Sequence, residues 1–380
     1  MLPQLTHKTD PKGFSYFEQL LAPANITLNG ANSSDIKVSN ERLFRRVLRD
    51  GTLGLGEAYM DGWWDCEQLD ELVCRTLRSG LHHSIRNNWR FVVFSIFCRL
   101  FNLQSVQRAF MVGEKHYDIG NDVFEAMLDT HMNYSCGYWA SARNLGEAQE
   151  HKMEMICRKL QLEPGMRVLD VGCGWGGLSW WMAERHGVEV TGITVSKEQA
   201  ELAQNRCRDL PVTIELIDYR SLSGCYDRIV SVGMFEHVGR KNYREYMKVA
   251  NRCLKDDGLF LLHTIGKNVR NTSPDPWIDK YIFPNGELPA LSQVTNAAES
   301  LFVVEDVHNF GADYDRTLMA WYKNFEASWP QFKDQFSERF YRMWRYYLLS
   351  CAGAFRARDI QLWQFVLSKK GVLSGYDRVS

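Results

Sequence analysis

The chain has 380 residues, with 45 lysines and arginines against 46 aspartates and glutamates. That length exceeds what one core usually fills, so about two domains are expected, and a net charge of −1 lacks the basic excess of a dedicated nucleic-acid binder. Ten cysteines fall without a C-x-x-C pair or metal-ligand spacing, the Met1 end carries no apolar leader, and no run approaches the roughly 18 apolar residues of a membrane span. A cytoplasmic protein with reduced thiols is expected.

Residues 1–105 read as a small, mainly helical N-terminal domain. Turn chemistry occurs at Asn29-Gly30 and Asp50-Gly51, and helical periodicity over Arg42 to Leu48. Between Glu71 and Glu114 there is no acidic residue, whereas Arg75, Arg78, Arg86, Arg90, Arg99 and Arg108 all fall there, around an apolar run from Phe91 to Cys98. Such a run flanked by arginines fits an interfacial segment held at anionic headgroups. A buried interdomain helix with solvated arginines fits equally well.

From about residue 160, strand and helix patterns alternate as in a doubly wound sheet. The expected strands are Arg167 to Gly172, Glu189 to Thr194, Val212 to Asp218, Tyr226 to Val232, Leu259 to Ile265, Phe302 to Phe310 and Leu362 to Ser368. The first runs straight into Gly172-Cys173-Gly174-Trp175-Gly176-Gly177, which is how a backbone comes within contact distance of a nucleotide cofactor. Gly172, Gly174 and Gly177 also satisfy G-x-G-x-x-G, but the dinucleotide pattern wants an acidic residue after the second strand, and that strand ends in Thr194. In an open α/β sheet ligands sit at the carboxyl ends of the strands. Gly172, Gly174, Thr194, Asp218, Tyr219, Glu236, His263 and Ile265 therefore share one crevice. Pro274 to Pro289, with Trp277, Tyr281 and Phe283, reads either as a lid over an apolar channel or as a long surface loop. Arg339 to Ala354 reads as an aromatic-rich helix suited to wall that channel.

Asp170 before the glycine run resembles the first motif of S-adenosylmethionine-dependent methyltransferases. Longer words are similar to the cyclopropane-fatty-acid synthases, which methylenate double bonds of phospholipid acyl chains: His116 to Asp122, Tyr134 to Trp139, Val232 to Gly239, Leu262 to Gly266, Asn309 to Asp315 and Cys351 to Asp359. Leu53 to Trp64 carries the likeness into the first hundred residues. The resemblance implies an α/β fold, a Rossmann-like class I methyltransferase sheet of seven strands, one of them antiparallel. It implies a catalytic domain over 106–380, lipid or membrane contact by 1–105, peripheral association with the inner membrane, and a homodimer. It further implies that Gly172 and Gly174 pass under the amino-acid part of S-adenosylmethionine, that Thr194 and Gln199 serve the ribose and Asp218 and Tyr219 the adenine, and that Tyr134 and Ser135 close over it. The substrate implied is an unsaturated phospholipid in a bilayer.

An alkene attacking a sulfonium methyl leaves a carbocation, and a base must take a proton from the new methyl before the ring closes. Glu236 and His263 are titratable candidates at strand ends. The resemblance implies instead a bicarbonate ion cradled by Cys136, Glu236, His263, Tyr314 and the backbone of Ile265. Read alone, Cys136 is a packed small hydrophobe and Tyr314 a core or rim tyrosine; His237 reads as a packing residue. His116, Asp118 and Asp122 have spacings compatible with metal ligation, but transfer from a sulfonium needs no Lewis acid, so no metal is assigned. Methyl branching of acyl chains, a non-catalytic lipid-binding protein on the same fold, and a nicotinamide-dependent oxidoreductase are the competing readings.

Overall fold

A computed structural model describes residues 11–81, 120–270 and 274–379. The arginine-flanked run Phe91 to Cys98, the boundary at residue 105, and His116 and Asp118 lie outside the described residues. The N-terminal segment contains α1 (Pro11–Leu21), β1 (Lys37–Val38), α2 (Arg42–Met60), β2 (Trp64–Asp65) and α3 (Leu69–Arg78), with β1 and β2 paired antiparallel. Asn29 takes a left-handed φ of 55°, as its turn chemistry requires. The expected turn at Asp50-Gly51 is present: Gly51, at φ 60° and ψ −133°, breaks α2 into two helical halves, and the chain folds back there so that Arg46 pairs with Glu57 at 2.7 Å and Asp61 at 2.6 Å. The expected helix over Arg42 to Leu48 lies in the half before the turn.

Two helices, α4 (Asn121–Met127) and α5 (Leu145–Lys159), lead into the sheet. Its strands are β3 (Arg167–Val171), β4 (Glu189–Thr194), β5 (Val212–Leu216), β6 (Tyr226–Val232), β7 (Leu254–Lys267), β8 (Val303–Asn309) and β9 (Ile360–Ser368). They lie in the order β5-β4-β3-β6-β7-β9-β8. Only β9 runs antiparallel to its neighbours, so the seven expected strands and the single reversed one are all present. Central strands buried on both faces read as nearly continuous apolar runs; all nine residues of β9 are buried. The order reverses between β3 and β6, and there the crevice opens. Between strands run α6 (Gly177–His186), α7 (Lys197–Arg206) and α8 (Tyr243–Cys253).

Two insertions leave this pattern. After β7 come α9 (Pro276–Tyr281) and α10 (Leu291–Ala298); after β8 come α11 (Ala312–Phe332) and α12 (Glu338–Arg356). Trp277 of α9 is 1% exposed, so the segment Pro274 to Pro289 is not a surface loop. The expected helix Arg339 to Ala354 is α12. These insertions share one apolar core with the N-terminal segment, in which Phe44, Tyr59 and Trp64 meet Trp277, Trp344 and Tyr346. Ion pairs rim that core: Arg356 reaches Asp70 at 2.7 Å and Asp315 at 2.9 Å, Arg342 reaches Asp65 at 2.9 Å, and Glu57 holds Lys280 at 2.6 Å and Arg46 at 2.7 Å.

The glycines of Leu53-Gly54-Leu55-Gly56 have a packing reason. A Cβ on Gly54 would stand 2.5 Å from the Arg46 carbonyl oxygen, and one on Gly56 2.4 Å from Cδ1 of Trp277. A buried indole has no flexible end to move aside. Gly56→Val is therefore expected to lower the urea-unfolding midpoint, with a loss of about 1–3 kcal/mol from overpacking; an unchanged midpoint would show that α9 yields.

Candidate functional site

β3 ends in a turn built from glycine. Gly172, Gly174 and Gly176 have φ of 87°, 55° and 79°, a region that side chains rarely adopt. The amides of Gly172 and Cys173 both donate to the Ile193 carbonyl, at 3.0 and 2.9 Å, which fastens the turn to β4. A Cβ on Gly174 would meet nothing within 4 Å, so this backbone faces open space. Beneath the turn, the buried Asp170 accepts from Ser179 at 2.7 Å; burial pushes its carboxyl up to about 6.

The next two strand ends continue the crevice. Thr194 Oγ1 donates to Gln199 Oε1 at 2.9 Å, and Ser196 caps α7 by accepting from the Gln199 amide at 3.3 Å. Asp218 accepts from the Arg220 amide and guanidinium at 2.9 Å, while Tyr219 is buried against Tyr246 at 5.1 Å. Thr194, Ser196, Gln199, Asp218, Tyr219 and Arg220 line one cavity of about 1020 Å³, together with Gly172, Gly174, Tyr134, Ser135, Glu236, His263, Ile265 and Tyr314. The same cavity runs on between the N-terminal helices, past Phe17, Phe44, Leu72 and Leu77, and under Trp277 and Phe283 of the α9 segment.

Glu236 and His263 sit at the ends of β6 and β7. Glu236 lies on the short turn Phe235–His237, held by the stacking of Phe235 on Tyr243 at 4.3 Å. Its Oε1 accepts from the Ile265 amide at 2.6 Å. Its Oε2 is buried with no protein partner. Burial pushes this carboxyl up to about 7, against the pull of the Ile265 amide. His263 is 1% exposed; burial, with Lys152 and Lys159 adding to it, holds its imidazole well below the usual range. Its Nδ1 lies 3.1 Å from Gln364 Nε2, and its Nε2 is a second buried atom without a protein partner. An unsatisfied buried polar atom is costly, and two on residues that line one cavity mark a candidate place for a polar ligand.

Aromatic residues close the front. The Tyr134 and Tyr347 hydroxyls are 2.8 Å apart, and Tyr134 packs on Phe124 and Trp321 at 5.1 and 5.2 Å. Tyr314 stacks on Phe355 at 4.4 Å, and burial raises its phenol well above the ordinary value. Cys136 is fully buried, its Sγ donating to the Gly137 carbonyl at 3.2 Å. Burial pushes that thiol well above its usual range, so it is no thiolate. His237 lines the cavity at 5.9 Å from the Phe283 ring; burial takes it down to about 4.

Lys152 and Gln364 belong to the site although neither stands out in the sequence. Lys152, 1% exposed, donates to Ser135 Oγ at 3.0 Å and Asn133 Oδ1 at 2.8 Å, fixing the loop that carries Tyr134. Burial draws its ammonium down to about 8, while Asp129 pulls the other way. The signal was present: Leu145, Ala148, Gln149, Lys152, Ile156 and Lys159 follow the helical stripe of buried positions in α5.

The family model described as Mycolic acid cyclopropane synthetase matches residues 104–365. The chain is 56% identical over 366 residues, 96% of each chain, to cyclopropane-fatty-acyl-phospholipid synthase of Escherichia coli strain K12. It is 31% identical over 366 residues to a tuberculostearic acid methyltransferase of Mycobacterium tuberculosis, covering 87% of this chain and 82% of that one. A solved mycolic acid cyclopropane synthase complexed with S-adenosylhomocysteine and CTAB superposes with a TM-score of 0.64 at 34% identity, over 68% of this chain and 98% of the other. Coclaurine N-methyltransferase, at 22% identity and a TM-score of 0.70 over 84% of this chain and 99% of that one, shares the fold.

Two outcomes are expected. Gly174→Val places a branched side chain in the open space over the turn and forces an L-residue to φ 55°; calorimetry should detect no S-adenosylhomocysteine binding by a chain that still unfolds cooperatively, and retained binding would remove the turn from the cofactor site. The Glu236 carboxyl lies above its ordinary 4.5 in the folded chain. Its contribution to stability is therefore present below about pH 4.5 and lost as pH rises through about 7, a shift of that size corresponding to about 3 kcal/mol. Glu236→Gln should be more stable than the parent at pH 8, with the advantage shrinking toward pH 5 in urea unfolding. A difference that does not vary with pH would mean that Glu236 is solvated.

Proposed function

The chain belongs to the mycolic acid cyclopropane synthetase family of S-adenosylmethionine-dependent methyltransferases, and we propose that it places a methylene across the cis double bond of an unsaturated phospholipid acyl chain. One observation carries this reading: Glu236 and His263, whose Oε2 and Nε2 are buried without a protein partner, line the same cavity as the open glycine turn. S-adenosylmethionine bound over that turn supplies an electrophilic methyl on a positively charged sulfur. Gly172 and Gly174 let the backbone approach it, Thr194 and Gln199 serve its ribose, Asp218 and Tyr219 its adenine, and Tyr134 and Ser135 cover it.

The aromatic faces of Tyr134, Tyr314 and Tyr347 stabilise positive charge on the acyl chain and exclude water. We assign the proton acceptor to a bicarbonate held by Glu236, His263 and Tyr314; bound there, it would supply the base. A carboxylate beside an anion would repel it, but burial brings Glu236 to about 7, and in its protonated form it donates to the ion. Tyr314 stays protonated and donates likewise. Ile265 acts through Glu236, since its amide is already given to that carboxyl. Cys136 contributes shape near Tyr314 as a neutral thiol.

The acyl chain takes the arm of the cavity between α1, α2 and α3, which supports assigning lipid contact to the domain 1–105. No helix among the described residues is long and apolar enough to cross a membrane. We place the enzyme in the cytoplasm as a homodimer that visits the inner membrane surface.

Purified protein with S-adenosylmethionine and vesicles of a cis-monounsaturated phospholipid should add the mass of one CH2 per chain and remove the olefinic proton signals. A methyl-branched product would replace ring closure with branching. In carbonate-depleted buffer turnover should fall and return on adding bicarbonate, and Glu236→Ala, which removes the donor, should cut kcat by about 100-fold or more while cofactor affinity holds. Cys136→Ser should keep most activity. Turnover indifferent to carbonate would return the base to Glu236.

A further inference from the structure

A line of buried polar side chains crosses three strands behind Glu236 and His263. Gln364 of β9 stands opposite His263 of β7 in one antiparallel register and opposite His308 of β8 in the other. The three side chains therefore share one face of the sheet. That face is the one packed under α5, where Leu261 and Val366 meet Ile156 and Leu160. Lys159 ends α5 and reaches the same line: its Nζ is 2.9 Å from Gln364 Oε1 and 3.0 Å from His308 Nδ1. Gln364 Nε2 lies 3.1 Å from His263 Nδ1. Lys159 and Gln364 are both fully buried, so no water competes for these bonds.

Donor and acceptor follow from the chemistry of the groups. An ammonium has only donors. It draws the carbonyl oxygen of Gln364 toward itself, and this turns the amide NH2 toward His263. An NH2 offers only donors too, so His263 Nδ1 accepts and the single ring proton sits on Nε2. The orientation of the amide is thus dictated by Lys159 and does not rest on telling oxygen from nitrogen at Gln364. Burial brings Lys159 down to about 8, with Asp306 pulling up and Arg378 pushing down, so the ammonium prevails at neutral pH. On the far side, His308 Nδ1 likewise accepts from Lys159, and Phe310 packs edge-on to His263 at 5.6 Å, holding the ring plane.

We infer that Lys159 and Gln364 are positioning residues that set His263 as a neutral imidazole protonated on Nε2, pointing a hydrogen-bond donor into the reaction cavity. His263 then holds an oxygen ligand there and does not itself take the proton from the substrate. The identity of that ligand rests on the bicarbonate reading; the tautomer stands on the three side chains alone. A deprotonation by His263 would need its Nε2 lone pair toward the substrate, and Nε2 carries the proton instead.

The test uses the full chain with labelled 15N-histidine, loaded with S-adenosylhomocysteine, and two-bond proton–nitrogen correlation spectra, the His263 signals being those lost in His263→Asn. The wild type should show the Nε2–H tautomer from pH 6 to pH 8. Gln364→Glu gives Lys159 a carboxylate partner whose other oxygen accepts from His263, so the proton should move to Nδ1. With that flip kcat should fall about 100-fold or more while S-adenosylhomocysteine affinity stays within about threefold. Lys159→Met releases the amide and should give mixed tautomers and a smaller loss of kcat, and it decides the matter if Gln364→Glu does not fold. An Nδ1–H or doubly protonated ring in the wild type would overturn the assignment, as would a flipped ring with unchanged kcat. An Nε2–H ring in an enzyme indifferent to carbonate would sink the bicarbonate reading and leave the tautomer standing.

Discussion

Withdrawal of Glu236 and His263 from water is the constraint that orders the rest of the site. Burial moves the two in opposite directions, the carboxyl up and the imidazole down, and both movements favour the uncharged form. The cavity wall that these two residues form thereby carries less charge than a solvated carboxylate and imidazolium would give it. Several otherwise unrelated contacts maintain this withdrawal. Phe235 stacks on Tyr243 to fix the turn of Glu236, the Glu287 amide donates to the Glu236 carbonyl at 2.8 Å, and the Tyr243 hydroxyl ties the same Glu287 from behind at 3.2 Å.

Glu287 belongs to the segment after β7, so the acid's surroundings depend on a piece of chain that the sheet itself does not organise. That segment is anchored by the N-terminal residues: Glu57 of α2 holds Lys280 and Tyr281, and Gly56 makes room for Trp277. The helices after β8 close the same core from the other side, with Arg342 lying 4.1 Å over the Tyr59 ring. The N-terminal segment thus does more than add an apolar arm to the cavity. It braces the two insertions that keep water from Glu236 and His263, and a long apolar cavity and a dry reaction centre come from the same packing.

The seven strands were legible because each is a short apolar run bounded by turn residues, and the boundaries differ by two residues or fewer at all but the start of β7. Gly172, Gly174, Glu236 and His263 were legible as residues at strand ends, where the topology of an open sheet concentrates ligands. Other features were hidden for identifiable reasons. Lys152 and Lys159 look like the solvated side of a helix until the stripe of buried positions is traced through them. Gln364 is one amide in an apolar strand; its role exists only across two strand pairings, one to residue 263 and one to residue 308, which no local pattern encodes. The choice between lid and surface loop for Pro274 to Pro289 turned on the burial of Trp277, a tertiary fact.

Sheet and insertions carry different parts of the chemistry. The glycine turn, Thr194, Asp218, Glu236 and His263 all stand at strand ends, and the fold they belong to is shared with coclaurine N-methyltransferase at 22% identity. A fold shared so widely does not select a substrate. Tyr314, Trp321 and Tyr347 stand on α11 and α12, and Trp277 and Phe283 on the segment after β7, so the groups suited to an acyl chain and a carbocation come from the insertions. Neutral donors at the strand ends and aromatic faces on the inserted helices are complementary requirements. In the proposed reaction a neutral polar pocket would not stabilise a carbocation by charge, which leaves that work to the rings, and rings would not hold an oxygen ligand, which leaves that work to Glu236, His263 and Tyr314. Tyr314 belongs to both sets: its ring stacks on Phe355 of α12 while it lines the cavity shared by Glu236 and His263. In the proposed reaction it is the residue that would couple the lipid's position to the polar ligand's.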